Sequence, residues 1–593
     1  MIRFLNTLRS WFLSPDSNLE LGLRTLYHKI LATRIAFLIQ DWFAQRSFQK
    51  WRKKSINLQF KLIQGKGDAP KVAFIILCRE GFTSIAQSTI FSINNLVGLP
   101  KEIFLFVPEN ISYPGDKGKG VKESHNHPVE TKIEDLLNKV EGDYVIFCEA
   151  GDQFYSTLLH QFSRCIQDNP SVAIATYDCE YPDPSTGQLL PHFKPQKLSP
   201  DLLLSVNYMS RSFFRRDSIR QFIGKEDLPD DFFAIEYFLV LRVIEKSPLI
   251  VHIPAMLARM TGLVRPVSNS LRDVVSSHLR RIGLKDVGYE KRYDAPRFFW
   301  QSGNPSVAIV ILTKNHHQLL KSLLESIRTH TKSSNFEIVI VDNGSDHQST
   351  KNLFETHSDE NKIEHIPYNR PFNYSEAINL GAQSSESDLI LFLNDDMLVC
   401  SDDWLDELTQ WVIRPEIGVV GAKLLRQNHT IQHAGIIMGL NGFAGHLYLN
   451  APEHYQGLFG SADWYRNLLA ITGACQMVRR EVFMEVGGYD QAYMLAFGDI
   501  DFCLRVHNSG YRNLLTPFAD IHHFEGQSRG YTTPTSDILK GLEEMEQYLI
   551  DGDPFYSPHL TLTRIPKCDL SPSTKISRKK QIDSRTSFYT RLQ

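Results

Sequence analysis

One set of short, β-branched apolar runs occurs twice along the chain in the same order, and no other feature restricts the fold as much. Val307-Ala-Ile-Val-Ile-Leu312, Glu337-Ile-Val-Ile-Val341 and Leu389-Ile-Leu-Phe-Leu393 are preceded by Val72-Ala-Phe-Ile-Ile-Leu77, Glu102-Ile-Phe-Leu-Phe106 and Tyr144-Val-Ile-Phe147. Unbroken apolar runs of this length, alternating with helical patterns, suit strands covered on both faces. Each copy therefore predicts an α/β domain, a mostly parallel sheet flanked by helices. The matching order points to an internal duplication.

The rest of the sequence divides around these copies. Residues 1–68 read as a helical leader, basic and aromatic, ending in Phe48-Gln-Lys-Trp-Arg-Lys-Lys54. The first copy occupies 69–273, a linker closing on Gln301-Ser-Gly-Asn-Pro305 spans 274–305, and the second copy occupies 306–550. The extension 551–593 turns rich in Ser, Lys and Arg from about Cys568 and is expected to be disordered. A balance of 64 Lys+Arg against 67 Asp+Glu, with 42% hydrophobic residues, argues against a disordered chain and against one whose whole surface is built to bind nucleic acid, and leaves room for a local basic patch.

The leader's Trp and Phe, interleaved with Arg and Lys, suit either packing on the protein itself or peripheral contact with an anionic membrane. The stretch Ile30 to Phe43 is interrupted by Arg34, Gln40 and Asp41, so it does not read as a membrane span. No secretory signal is visible, and the eight cysteines form no Cys-x-x-Cys pair. The expected setting is the cytoplasm, with the inner face of the cytoplasmic membrane as a further option.

Ligands of open parallel sheets gather at the carboxyl ends of the strands. In the second copy these ends read Thr313-Lys-Asn315, Asp342-Asn-Gly-Ser345 and Asn394-Asp395-Asp396. Adjacent carboxylates there suit a hard divalent ion sharing phosphate oxygens, although an Asp-Asp pair before a helix also serves as a cap. Farther on lie Asp499-Ile-Asp501, ahead of a helical pattern, and His522-His523-Phe-Glu-Gly-Gln-Ser-Arg529-Gly530. There a His could join the same metal, and Ser, Arg and Gly could hold phosphate.

Taken in order with Pro371-Phe-Asn-Tyr-Ser375, Thr430-Ile-Gln-His-Ala-Gly435 and Val478-Arg-Arg480, these motifs resemble glycosyltransferase family 2 over residues 305–535, closest to the bacterial rhamnosyltransferase-like subgroup. The resemblance implies two GT-A-like domains in tandem and an inverting transfer from a nucleotide-diphosphate sugar to a growing polysaccharide or lipid-linked glycan. It implies Thr313, Asn315 and Asp342 in the nucleotide pocket, with Asn343, Ser345, Asn394, Asp395 and Arg529 as further donor-binding residues. It implies Mg²⁺ or Mn²⁺ on Asp396 and His523, and Asp499 as general base. Three positions depart from the pattern: Leu312 stands where many members have Pro, Gly498 where Asn or Glu is usual, and Phe524 where a His is frequent.

The first copy resembles the same family through Gly142-Asp-Tyr-Val145 and Pro200-Asp-Leu-Leu-Leu-Ser-Val-Asn-Tyr208. Laid on the second, it replaces Asn315 by Glu80, Asp342 by Val107, Asn394-Asp395-Asp396 by Glu149-Ala150-Gly151, Asp499 by Glu236 and the metal-binding His by Arg259. It reads as a degenerate domain without transferase chemistry. Two other functions fit the class: a non-catalytic scaffold binding glycan or nucleotide sugar, which intact Asp342, Asp396, Asp499 and His523 oppose, and a sugar nucleotidyltransferase, which would favour a glycine-rich basic loop where Thr313-Lys-Asn-His-His317 stands.

Overall fold

The structure is a computed structural model that describes residues 34–56, 70–78, 83–106, 129–130, 133–222, 228–229, 231–293, 295–332, 335–357, 363–524, 533–563, 567–568 and 575–591. The first sheet runs from edge to edge through Val129–Glu130, Lys101–Phe106, Val72–Leu77, Tyr144–Glu149, Phe213–Arg215, Ile174–Pro182, Ile250–Arg259 and Gln153–Phe154. The second runs through Ile363–Pro367, Phe336–Asp342, Val307–Thr313, Leu389–Leu393, Cys475–Arg479, Ile417–Leu425, Arg512–His523 and Met397–Val399.

Position by position, the two orders coincide, and so does the sense of every neighbouring pair. Three parallel pairs come first, then two antiparallel, one parallel and one antiparallel. The duplication is therefore one of topology. The sheets are mixed, with four parallel pairs of seven along each order, three of them in the first half of each copy, where helical crossovers join consecutive neighbours. The runs Val72–Leu77 and Leu389–Leu393 are buried at every residue, which accounts for their unbroken apolar sequence.

Two expectations are corrected. The presumed linker is folded: it contains most of the helix Asn269–Arg281 and a hairpin of Gly288–Arg292 with Ala295–Phe299. The hairpin is clamped to the second domain by Arg297, whose Nε donates to buried Glu407 at 2.6 Å, and just beyond it Trp300 Nε1 donates to the Gln410 carbonyl at 2.9 Å. Alternating charges suit a solvated segment, but Arg292 and Arg297 reach Asp403, Glu407 and Asp520, more than a hundred residues away. The extension is not wholly disordered either, since Lys575–Thr590 is a helix. It buries Ile582, pairs Lys579 with Glu546 and caps the Gly442 carbonyl with Arg585.

The two domains share a core that continues from Phe147 and Phe214 through Phe298 and Trp300 of the hairpin to Trp411, Tyr465 and Phe518. Their polar junction centres on Asp201, in the single turn Pro200–Leu204 of the first domain. Its carboxylate, 3% exposed, accepts from Asn467 Nδ2 at 2.7 Å, Arg512 Nε at 3.2 Å and Arg414 Nη1 at 3.3 Å, all on the second domain. Ser199 Oγ donates to Asn467 Oδ1 at 3.0 Å, and the Tyr465 amide donates to Ser205 Oγ at 3.0 Å. The leader helix Arg34–Ile56 packs across this assembly with Phe37, Ala44, Phe48 and Trp51 buried.

Removing one partner of a buried ion pair leaves the others desolvated without compensation, at a cost of about 3–5 kcal/mol. Asp201→Ala is expected to destabilise the chain by that amount in chemical denaturation and to make the junction between the domains cleavable by protease.

Candidate functional site

The carboxyl ends of the second domain's parallel strands meet at a cleft of about 200 Å³, lined by Thr313, Lys314, His316, Asn343, Phe372, Tyr374, Asn394 and Asp395 together with Leu312. Thr313 is the last residue of its strand and donates from Oγ1 to Asp395 Oδ2 at 2.8 Å. His316 Nδ1 meets the same oxygen at 2.8 Å. That hydrogen bond holds the imidazole above its ordinary pKa, against the opposing effect of partial burial.

The second strand end is a compact polar turn. Asp342 Oδ1 accepts from the Ser345 amide at 2.9 Å and from Ser345 Oγ at 2.5 Å, while Oδ2 faces His365 Nε2 at 3.6 Å. Burial works to raise the Asp342 pKa, but the bonds from His365 and Ser345 outweigh it and hold the carboxyl below its ordinary value. Asn343 Nδ2 is directed at the Tyr368 carbonyl, 3.2 Å away.

Asn315 takes the left-handed conformation (φ +58°) and spends its side chain on the neighbouring loop. Oδ1 accepts the amides of Asp346 and His347 at 2.9 and 3.0 Å, and Nδ2 donates to Asp346 at 2.7 Å. Asn315 thus braces the pocket wall and is not among the residues lining the cleft; Ser345, which binds Asp342 and receives the Asn315 amide at 2.9 Å, does the same.

Asp396 ends the acidic turn, 2% exposed, and the adjacent edge strand pairs Met397 with His523 in register. This brings His523 Nε2 to 3.1 Å from Asp396 Oδ1, while His522 points away and packs against His429. Two donors at right angles on a cation with ~2.1 Å bonds stand about 3 Å apart, so the pair fits two neighbouring positions on a divalent ion. Among the described residues no group of three or more His, Cys, Asp or Glu side chains could hold an ion. The site as built leaves the remaining positions to water or a ligand's oxygens. Arg529 lies outside the described residues.

Asp499 sits in the first turn of the helix Gly498–Asn508, behind Phe497, whose φ of +67° turns the chain into the helix. Its Oδ2 accepts the Gly473 amide at 2.9 Å, and Oδ1 the Ile500 amide at 2.9 Å. A side chain at Gly473 would crowd Asp499 Cβ and the Tyr489 hydroxyl, both 3.2 Å from a built Cβ. One at Gly498 would meet Ser375 Oγ at 2.9 Å, so the departure at this position goes with a close approach of two helices. The Asn394 amide donates to the Ala474 carbonyl at 3.0 Å, which lays the acidic turn beside the loop that holds Asp499.

The first domain carries the same scaffold with different contents. Its edge strand pairs Gln153 with Arg259, as Met397 pairs with His523, so Arg259 stands where His523 stands. The same register sets Asp152, not Gly151, opposite Asp396, because the inner strand Tyr144–Glu149 is one residue longer than Leu389–Leu393. Asp152 and Glu149 surround Arg211, a 1% exposed guanidinium at 2.8 Å and 3.5 Å respectively. The Arg211 amide donates to Glu236 Oε1 at 2.7 Å, the bond that Gly473 makes to Asp499. Burial pushes the Glu236 carboxyl up to about 7, against the pull of Arg211. Glu80 and Val107, which replace Asn315 and Asp342, lie outside the described residues.

His316, His365, Tyr374 and Arg211 were not singled out from the sequence. His316 stood in a quoted motif without a visible partner, and His365 reaches Asp342 only through the parallel register that sets Asp342 beside Pro367.

The family model described as Glycosyl transferase family 2 matches residues 308–487. The chain is 34% identical over 445 residues to the O-antigen biosynthesis protein RfbC of Myxococcus xanthus, covering 71% of this chain and 34% of that protein. It is 24% identical over 242 residues to the rhamnosyltransferase WbbL of Escherichia coli (strain K12), covering 38% of this chain and 86% of WbbL. Among solved structures, GalNAc-T7 with UDP, GalNAc and Mn²⁺ aligns with a TM-score of 0.37 at 14% identity, over 55% of this chain and 65% of that one. The chain spans less than half the length of the two relatives that match most of it, 34% and 45%.

The Asp396–His523 pair yields a direct expectation. Asp396→Ala and His523→Ala each lower Mn²⁺ affinity at least tenfold by calorimetric titration, while Asp152→Ala in the first domain leaves it unchanged.

Proposed function

We propose, on the match of residues 308–487 to the family model described as Glycosyl transferase family 2, that the second domain moves a sugar from a nucleotide-diphosphate donor to a hydroxyl of a surface polysaccharide or lipid-linked glycan. The observation that carries this reading is the convergence of the Asp395-Asp396 turn, His523 and the Asp499 loop on one edge of a cleft.

The base and ribose of the donor would lie against the Thr313 and Asp342 strand ends, with Asp342 kept ionised as a hydrogen-bond acceptor. Asp396 and His523 would hold Mg²⁺ or Mn²⁺, which when bound stabilises the negative charge that develops on the leaving diphosphate. His316, whose pKa the hydrogen bond to Asp395 holds above its ordinary value, adds a second basic group at the cleft. Asp499, oriented by the Gly473 amide, takes the proton of the acceptor hydroxyl as its oxygen forms the bond to the anomeric carbon. The bond from that carbon to the diphosphate oxygen breaks in the same displacement. Attack from the opposite face inverts the centre, and no carboxylate nucleophile takes part.

The first domain is proposed as a non-catalytic copy. A transferase site must leave its carboxylates open to a cation and a hydroxyl, whereas here Arg211 neutralises Asp152 and Glu149 from within. The scaffold reading that fails for the second domain suits the first.

Two measurements test this. A general base contributes about 10²- to 10⁴-fold. Asp499→Asn should therefore lower kcat by that range with the donor KM changed less than about threefold, in an assay of nucleoside diphosphate release over a panel of nucleotide sugars; near-wild-type transfer would sink the assignment. Calorimetry with a non-hydrolysable donor should give one site per chain, lost in Asp342→Ala. A second site surviving that substitution would return activity to the first domain.

A further inference from the structure

The leader helix Arg34–Ile56 has two unlike faces. Inward, Trp51 packs edge-on against Phe193 at 5.4 Å and Phe37 against Tyr455 at 5.0 Å, while Arg52 pairs with buried Glu180. Outward, Leu38, Ile39, Trp42 and Phe43 are 51–54% exposed within two turns, and Arg46, Lys50, Lys53 and Lys54 continue the exposed face toward the C-terminus. At 3.6 residues per turn these eight positions fall within one arc of about 160°. Exposed apolar residues scattered singly need no explanation, but four large ones in one patch mark a contact surface.

Three properties of the patch select its partner. The aromatic pair Trp42 and Phe43, edge-to-face at 4.9 Å, lies beside cations: Arg46 stands 4.5 Å over the Trp42 ring, and Lys567 of a distant segment 6.0 Å from Phe43. Arg46, Lys50, Lys53 and Lys54 form no ion pair with an acidic side chain among the described residues, so a two-fold contact between copies of this face would give these four cations no acidic partner from the face itself. No helix among the described residues is long and apolar enough to cross a membrane. An apolar aromatic half followed by an unpaired basic half on one helix face is the pattern of a helix lying in the plane of an anionic bilayer.

We propose that this face docks on an anionic phospholipid surface, with Trp42 and Phe43 at the acyl boundary and Arg46, Lys50, Lys53 and Lys54 over the headgroups. If the proposed transfer reaction holds, the contact keeps the second domain at the surface from which a lipid-linked acceptor is presented. Vesicle binding itself is read without donor or acceptor, so its outcome is separate from that of the transferase assignment.

The test is sedimentation of the full chain with sucrose-loaded vesicles of phosphatidylcholine, alone or with about 30% phosphatidylglycerol. The wild type should partition at least tenfold more strongly onto the anionic vesicles and lose most of that binding in about 0.5 M salt. Trp42→Glu/Phe43→Glu and, separately, Lys50→Glu/Lys53→Glu/Lys54→Glu should each weaken partitioning at least tenfold. Phe91→Glu, at another exposed apolar position, should not. Transfer to a soluble acceptor should be unchanged in all three. Failure of the wild type to bind anionic vesicles at low salt overturns the proposal, as does wild-type binding by both leader variants. So does a dimer, seen by ultracentrifugation in the absence of vesicle binding, that dissociates in Trp42→Glu/Phe43→Glu, which would assign the face to a second copy of the chain.

Discussion

The carboxylate of Asp201 is where the architecture closes. It belongs to a turn of the first domain, yet its partners Arg414, Arg512 and Asn467 all belong to the second. Arg512 opens the long strand Arg512–His523 that ends in the proposed metal ligand, and Arg414 lies just after the helix Trp404–Val412 that backs the sheet. A single buried acid thus registers one sheet against the other at the start of the strand whose far end carries the proposed metal ligand. The apolar core shared through Phe298 and Trp300 supplies the bulk of the attraction, and Asp201 supplies its direction.

The two copies show two ways of satisfying carboxylates gathered at strand ends. In the second, Asp396 is left facing an imidazole at a spacing that suits a shared cation, and Asp499 is held by the Gly473 and Ile500 amides. In the first, a guanidinium has moved into the equivalent space and the histidine position has become Arg259, which turns away to Glu180. The acids were retained while the vacancy between them was filled. A fold can therefore keep most of a site's residue types and lose the site.

What was legible in the sequence followed from local physics. Strands buried on both faces have to be apolar throughout, so Val307–Leu312 and Leu389–Leu393 announced themselves, and polar residues directly after them marked the cleft. The hairpin 288–299 was misread because its exposed charges and its clamping Arg297 follow a pattern that a solvated linker also shows; only the distant Glu407 distinguishes them. The helix Lys575–Thr590 buries one apolar residue, Ile582, and is held by ion pairs, leaving no periodicity to detect. Asn315 was placed in the pocket by its position in a motif, whereas its backbone conformation commits it to the loop behind. The single residue by which the strand Tyr144–Glu149 exceeds Leu389–Leu393 is visible only once both edge strands fix the register.

The placement of Asp201 also has a meaning in time. Synthesis delivers Asp201 about two hundred residues before Arg414 and about three hundred before Arg512. Until then the acid must stay hydrated and the core around Phe147 and Phe214 lacks its far wall. The nascent first copy is therefore held open at the junction, and the last strand of the second copy is the latch that lets both halves close as one body.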